Sequence, residues 1–148
     1  MQLRPATADD FAAILRLLEV CSLCGNDLNP AQTAAFLLLY DADRILACGA
    51  VERFDERAGL VRSVAVDPEY RGKGLATRIM RSLETHARHR GLDRLFLLTQ
   101  SAPGFFARLG YERCERASAP ESIRQSSQFT SGCPSSAVCL WKDLRHTG

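Results

Sequence analysis

The sequence predicts an α/β fold, a mixed and mostly antiparallel sheet with helices on both faces. Three observations carry that prediction. Residues 60–77 read LVRSVAVDPEYRGKGLAT: an apolar β-branched run, a proline turn, a glycine-rich loop and the first turn of a helix. Upstream, two further apolar runs at 34–40 and 44–54 lead into this one through short polar turns, the pattern of an antiparallel meander. Downstream, a helical stretch ends at Gly91 and the run 92–98 follows; a crossover helix obliges that strand to lie parallel to the central one.

Composition sets the outer limits. At 148 residues, the chain is expected to form one domain, 1–148, with a substantial core. A formal net charge of +2 gives no reason to expect a nucleic-acid partner. No run of about 18 apolar residues exists, so no membrane partner is expected. The polar opening MQLRPATADD has no secretory signal, and the expectation is a cytoplasmic chain. The chain has six cysteines. Cys48 lies in an apolar strand and reads as a reduced core residue. Cys21 and Cys24 form a lone C-x-x-C with no second pair, and His86, His89 and His146 lie on or after other elements, so no metal is expected. A reducing compartment also argues against a disulfide framework.

In chain order, Gln2 to Pro5 reads as a first strand. Thr7 and Asp10 resemble a capping box with Asp in place of Glu, ahead of a helix whose apolar face is Phe11, Ile14, Leu15 and Leu18. That helix should end between Cys21 and Gly25, helped by Asn26. Asn29 and Pro30 suit the cap and first position of one more helical turn. Asp41, Ala42 and Asp43 make the hairpin turn between the strands at 34–40 and 44–54, and residues 55–59 turn the chain into the central strand. Pro68 ends that strand, because it cannot donate to a ladder.

The helix expected at 73–90 has Leu75, Ile79, Leu83 and Ala87 every four residues on its apolar side. Its polar face, with Arg78, Arg81, Glu84, Arg88 and Arg90, reads as solvated surface, with Arg78 and Arg81 also suited to a distal phosphate. A short helix is expected from Pro103 to Leu109, stopped by Gly110, and Tyr111 opens another strand. Ser118, Pro120 and Glu121 suit the start of a short helix through Gln125. Residues 126–136 are polar and loop-like, and 137–142 read as the last strand.

The glycine loop carries the chemistry. First-turn amides of a helix lack intrahelical acceptors and sit at the positive end of its dipole. Gly72 and Gly74 let the backbone turn and approach a ligand without a Cβ, and Arg71 and Lys73 add full positive charge. The ligand that fits is a pyrophosphate. A P-loop needs Ser or Thr after Gly-Lys, and here Gly74 follows Lys73; a dinucleotide fingerprint needs a third glycine where Thr77 stands.

What remains, Arg71-x-x-Gly74-x-Ala76 after a strand ending VAVDP, resembles the coenzyme A loop of the GCN5-related N-acetyltransferases, the GNAT superfamily. A second stretch, Ala102-P-G-Phe105-Phe106-A-R-L-Gly110-Tyr111, is similar to the family's A-x-x-F-Y-x-x-x-G-F/Y signature. The resemblance covers residues 2–111. Within the family, residues 119–129 (APESIRQSSQF) and 133–137 (CPSSA) look like a branch associated with arsenic-resistance operons.

The resemblance implies the GNAT fold with a splayed central parallel strand pair, and acetyl-CoA as co-substrate. It implies transfer of acetyl to the amine of a small-molecule acceptor, with an amino-acid-like organoarsenical as one candidate. The alternatives are a general amino-acid N-acetyltransferase, or a catalytically weak protein that binds acetyl-CoA or an arsenical. Carried over residue by residue, the backbone of Val64, Ala65 and Val66 meets the pantetheine. Arg71, Gly72, Lys73, Gly74, Leu75, Ala76 and Thr77 hold the pyrophosphate, and Phe105 and Phe106 border the coenzyme. A homodimer is common in the resembled family, though no interface signature stands in this sequence.

The sequence also departs from the family. The tyrosine that often acts as general acid falls at Phe106, which has no proton to give, so either solvent, another group such as Tyr111, or no efficient turnover follows. The usual central-strand glutamate falls at Leu60. Glu52, in an apolar neighbourhood that would raise its pKa, is the candidate base. Arg62 interrupts an apolar strand and needs a partner, either an acceptor carboxylate or an internal Asp or Glu. Thr99 and Ser101, at the C-terminal end of a parallel strand, are the candidate acceptor contacts. Cys21, Cys24 and Cys133 form a minor candidate set for a soft ligand such as trivalent arsenic.

Overall fold

A computed structural model describes residues 1–23, 25, 27–132 and 136–146. Cys24, Asn26, Cys133 and Pro134 lie outside the described residues, and with them two of the three cysteines of the soft-ligand set and the start of the CPSSA stretch. The elements are β1 (Gln2–Pro5), α1 (Phe11–Val20), β2 (Phe36–Asp41), β3 (Arg44–Arg53), β4 (Ala58–Val66), α2 (Leu75–His89), β5 (Arg94–Thr99), α3 (Pro103–Arg108), β6 (Glu112–Cys114), α4 (Glu121–Arg124) and β7 (Val138–Asp143). They build one seven-stranded sheet in the order β1-β2-β3-β4-β5-β7-β6. The pair β4–β5 is parallel, and β1–β2, β2–β3, β5–β7 and β6–β7 are antiparallel. This is the mixed, mostly antiparallel sheet that the periodicities predict.

The chain divides into two compact units, residues 1–51 with 63–85, and residues 52–62 with 86–148. In the first, helices cover both sheet faces, and strand alternation shows why. Cys48 and Ala50 are buried in one cluster with Ile14, Leu17 and Leu18 of α1. Gly49, between them in sequence, points the other way. There a Cβ would come within 2.7 Å of Ile79 and 3.0 Å of Leu83, both on α2. α1 starts where expected: Asp10 accepts from the Thr7 amide at 2.8 Å and closes a 3-10 turn, Ala8–Asp10, ahead of the helix. Asn29 caps a second 3-10 turn, Pro30–Ala35, accepting from the Ala31 amide at 2.9 Å. That turn takes Ala34 and Ala35, so β2 begins two residues later than the apolar run alone predicts.

In the second unit, Ala58, Leu60, Phe96, Ala119, Ile123 and Cys139 form the core cluster, with Trp141 stacked on Phe96 at a centroid distance of 6.1 Å. The parallel register joins Ala58, Gly59 and Leu60 to Arg94, Leu95 and Phe96. Within this unit the pairing stops there, although β4 continues through Arg62 and β5 through Thr99; on its other edge β5 pairs with β7 over its whole length, Arg94–Thr99.

Three local expectations need correction. Glu84, placed on the solvated face, is only 5% exposed. It stands one turn after Met80 and so falls in the buried stripe. Ser118 does not cap α4; it ends its own 3-10 turn, Arg116–Ser118, and α4 starts after Pro120 with no side-chain cap. The polar stretch after residue 126 contains a π turn, Gln128–Gly132. Its start is organised by Ser126, whose hydroxyl donates to the Ile123 carbonyl at 2.6 Å while its carbonyl accepts from the Thr130 amide at 3.0 Å.

Candidate active site

In the first unit, β4 runs into the glycine loop through a turn that fixes both ends. Asp67 accepts from the Glu69 amide at 3.0 Å and closes the 3-10 turn Pro68–Tyr70. Arg44 reaches Asp67 at 2.7 Å and Glu69 at 3.1 Å. The amide bond first, then Arg44, holds the Asp67 carboxyl below its ordinary range. The Arg44 guanidinium and the Lys73 ammonium both lie over the Tyr70 ring, at 5.4 and 5.5 Å from its centroid.

Gly72 and Gly74 then take φ of +78° and +80°, a region that costs an L side chain about 1–2 kcal/mol. Neither has any atom within 4 Å of where a Cβ would sit. Arg71, Gly72, Lys73 and Gly74 are exposed, and Leu75 plugs the start of α2 into the core. The carbonyl of Gly74 accepts from the Arg78 amide, so Gly74 caps the helix and the amides of Leu75, Ala76 and Thr77 form its first turn. The loop glycines thus face open space at the positive end of a 15-residue helix. This arrangement can take a phosphate-bearing ligand.

β4 carries a feature that the sequence did not announce. Ser63 has φ +59°, left-handed backbone in mid-strand, as at a bulge. The thiol of buried Cys48 donates to the Ser63 carbonyl at 3.3 Å, and burial pushes that thiol up to about 12. Two residues beyond Val64, the carbonyl of Val66 accepts from both the Cys21 thiol and Arg71 Nε, each at 3.3 Å. Its two lone pairs are therefore engaged within the protein, while Val64 and Val66 are half-buried and Ala65 packs into the core with α1. Elsewhere in this unit a groove of about 600 Å³ runs past Arg4, Asp10, Arg16, Tyr40 and Arg44. Arg4 and Asp10 are already paired there, as Arg44 is with Asp67.

In the second unit, Arg62 Nη1 lies 3.4 Å from Glu52 Oε1, with the Arg62 side chain 1% exposed and that of Glu52 18% exposed. Glu52 is thus an internal carboxylate partner of Arg62. The pair compensates a buried cation, and each member has further interactions. Thr99 closes the step from β5 into α3, its Oγ1 accepting from the Ala102 amide at 3.1 Å, and Ser101 is exposed. Phe106 is buried between Phe105 and Tyr111, edge-on to each, at 5.0 and 5.9 Å between ring centroids. Tyr111 is 3% exposed and has Lys142 Nζ 5.5 Å above its ring. The structure thus joins Glu52 to Arg62 and Tyr111 to Phe106, and leaves the glycine loop open.

The model of the acetyltransferase (GNAT) family matches residues 8–111. The chain belongs to that family. Among curated relatives, an uncharacterized N-acetyltransferase of Chlorobaculum tepidum is 28% identical over 96 residues, covering 65% of this chain and 59% of its own. An amino-acid acetyltransferase of Escherichia coli K12 is 27% identical over 131 residues, 84% of this chain but 30% of the relative. The matched region therefore spans 30% to 59% of the length of these two relatives. Among solved structures, N-acetylglutamate synthase from Neisseria gonorrhoeae, complexed with coenzyme A and N-acetyl-glutamate, superposes with a TM-score of 0.85 at 22% identity, over 97% of this chain and 35% of that one. A protein from Mycobacterium tuberculosis in complex with CoA gives 0.81 at 24% identity, over 97% and 99%. These likenesses fix the GNAT fold. Among the described residues, no helix is long and apolar enough to cross a membrane.

Proposed function

We propose that this chain is an acetyl-CoA-dependent N-acetyltransferase acting on the amine of a small, amino-acid-like molecule. The observation that carries the reading is the open glycine loop: two left-handed glycines with nothing over them, at the head of α2, flanked by Arg71 and Lys73. Acetyl-CoA supplies the acetyl group as an activated thioester. The amides from Gly72 to Thr77 hold its pyrophosphate, and Arg71 and Lys73 neutralise the charge. The backbone of Val64 and Ala65, with the amide of Val66, aligns the pantetheine arm as an added strand would. Positioning and a fixed amide donor supply most of the rate gain.

Glu52 is the proposed proton acceptor for the amine, directly or through water, and Arg62 is the positioning residue that holds its carboxylate. Thr99 and Ser101 face the acceptor, and Phe105 and Phe106 form apolar wall. Phe106 donates no proton, so the departing thiolate is protonated by solvent, or by Tyr111 once a ligand opens its packing. The amino-acid acetyltransferases among the relatives support an α-amino acid as acceptor. The stretch 119–129 supports the narrower reading, an amino acid bearing an organoarsenical side chain. The setting is cytoplasmic.

Thiol release from acetyl-CoA across a panel of amines is the test. Turnover on ordinary amino acids but not arsenical ones selects the general enzyme, and the reverse selects the narrower one. Coenzyme binding by calorimetry with no turnover on any amine replaces the enzyme with a coenzyme-binding sensor, the reading that buried Phe106 favours. Glu52→Gln with full activity at every pH removes Glu52 as the base. Arg62→Ala that raises the acceptor KM while leaving the pH profile unmoved returns Arg62 to an acceptor carboxylate.

A further inference from the structure

Cys114 closes β6 and Cys139 sits in β7, opposite each other in the antiparallel register Glu112↔Trp141, Arg113↔Leu140, Cys114↔Cys139. Their sulfurs are 3.1 Å apart, the Cys114 thiol donating to the Cys139 sulfur, and both are free cysteines. The chain's other described thiols are engaged differently. Cys21 and Cys48 each donate to a backbone carbonyl, of Val66 and Ser63. Directly opposed residues of an antiparallel pair have Cα atoms about 4.5–5.5 Å apart, inside the roughly 4.4–6.8 Å that a disulfide spans. The register therefore puts the two cysteines within the spacing a disulfide spans.

We propose that Cys114 and Cys139 are a reversible dithiol–disulfide site that exchanges with low-molecular-weight disulfides. The two cysteines divide the work by access. Cys114 is half-buried at the sheet edge, since β6 ends the strand order, and Cys139 is 3% exposed. The Cys114 thiolate attacks one sulfur of the small disulfide, forming a mixed disulfide and expelling one small thiolate, which takes up a proton. The Cys139 thiolate then attacks the Cys114 sulfur, the protein bridge forms and the second small thiolate leaves. Two protein thiols are oxidised and one small disulfide is reduced to two thiols. Burial, and then the hydrogen bond with Cys114, hold the Cys139 thiol above its ordinary range, which suits a resolving thiol rather than the first attacker.

The site lies where a covalent bridge reaches other elements. Cys139 shares its cluster with Leu60 and Phe96, the last parallel pair of β4 and β5, and with Ile123 of α4. It lies opposite Leu98, next to the pairing of Val138 with Thr99. The bridge closes the chain segment that carries α4 and the π turn, and it ties the edge strand to its neighbour.

The test is peptide mapping of the full chain after incubation with excess oxidised glutathione and an acid quench with an alkylating agent. The expected product is a Cys114–Cys139 linked peptide, a free-thiol count lower by two, and full reversal by dithiothreitol. Cys139→Ser should trap glutathione on Cys114, and Cys114→Ser should leave Cys139 unmodified. A wild-type chain that keeps a stable glutathione adduct on Cys114, or whose bridge joins another cysteine such as Cys133, overturns the proposal. So does one in which neither cysteine reacts. The mapping reads no acetyl transfer, so its failure and that of the enzyme reading are distinguishable.

Discussion

Gly49 and the pair Gly72 and Gly74 belong to the same compact unit and are glycines for opposite reasons. At Gly49 the backbone is ordinary strand and the space is missing: a Cβ there would press on Ile79, Leu83 and Val64 at 2.7, 3.0 and 3.3 Å. At Gly72 and Gly74 the space is free and the backbone is the constraint, with φ near +80° and nothing within 4 Å. One glycine lets α2 lie close on the sheet. The others shape a surface that no part of the described chain covers. The left-handed backbone accounts for the glycines themselves, and the open space over them is the observation on which the proposed coenzyme site rests.

The largest effect should come from filling the packed site. Gly49→Val inserts a branched side chain against Ile79 and Leu83, both buried, and should cost about 3 kcal/mol in a denaturant titration. Coenzyme affinity of the fraction that folds should fall less than in Gly74→Val, because the loop amides themselves are not re-aimed. A Gly49→Val chain that is stable yet no longer binds coenzyme would break the comparison from one side.

Gly74→Val should lose about 1–2 kcal/mol of stability to the left-handed backbone. It should also lose coenzyme affinity by about tenfold or more, because misaimed amides give up charge-assisted bonds of about 1.5–3 kcal/mol each. Gly74→Asn sharpens the point, since Asn tolerates this conformation; it should bind better than Gly74→Val although neither has a neighbour to strike. Equal binding by all three chains would mean that the amide geometry does not matter.

The smallest effect separates fold stability from loop chemistry by pH. Asp10 takes a two-point contact from Arg4, at 2.8 and 3.0 Å, and that pairing holds its carboxyl at about 2, below the ordinary 3.8. A depressed folded value means the stabilisation is complete above about pH 4 and fades as pH falls from there toward 2. Solvent screening reduces it to about 1 kcal/mol. Asp10→Asn should therefore lower stability by about that amount at pH 7 and by only a small remainder at pH 2, where the folded carboxyl is half ionised, with coenzyme affinity unmoved at pH 7.

The elements legible in the sequence were those whose signal is local. The four-residue period of Leu75, Ile79, Leu83 and Ala87 marked α2, and all four are buried. Asn29 with Pro30, and Thr7 with Asp10, marked helical starts because capping needs only neighbours. The turn of the glycine loop was legible because Gly72 and Gly74 suit the left-handed backbone found there. What escaped the sequence depends on partners distant in the chain. The left-handed Ser63 has no glycine to announce it. The pairing of Arg62 with Glu52 needed the register of two strands, as did the meeting of Cys114 with Cys139 across 25 residues. Tyr111 looked available beside Phe106, and its burial under Lys142 came only with the packing of β7.

The most direct test of the coenzyme assignment is an amide-resolved NMR titration of the isotope-labelled chain with coenzyme A. Saturable shifts of the backbone amides from Gly72 to Thr77, absent when dephosphorylated pantetheine replaces the coenzyme, are the predicted result. Coenzyme that binds while those amides stay still, or that does not bind at all, would contradict the account.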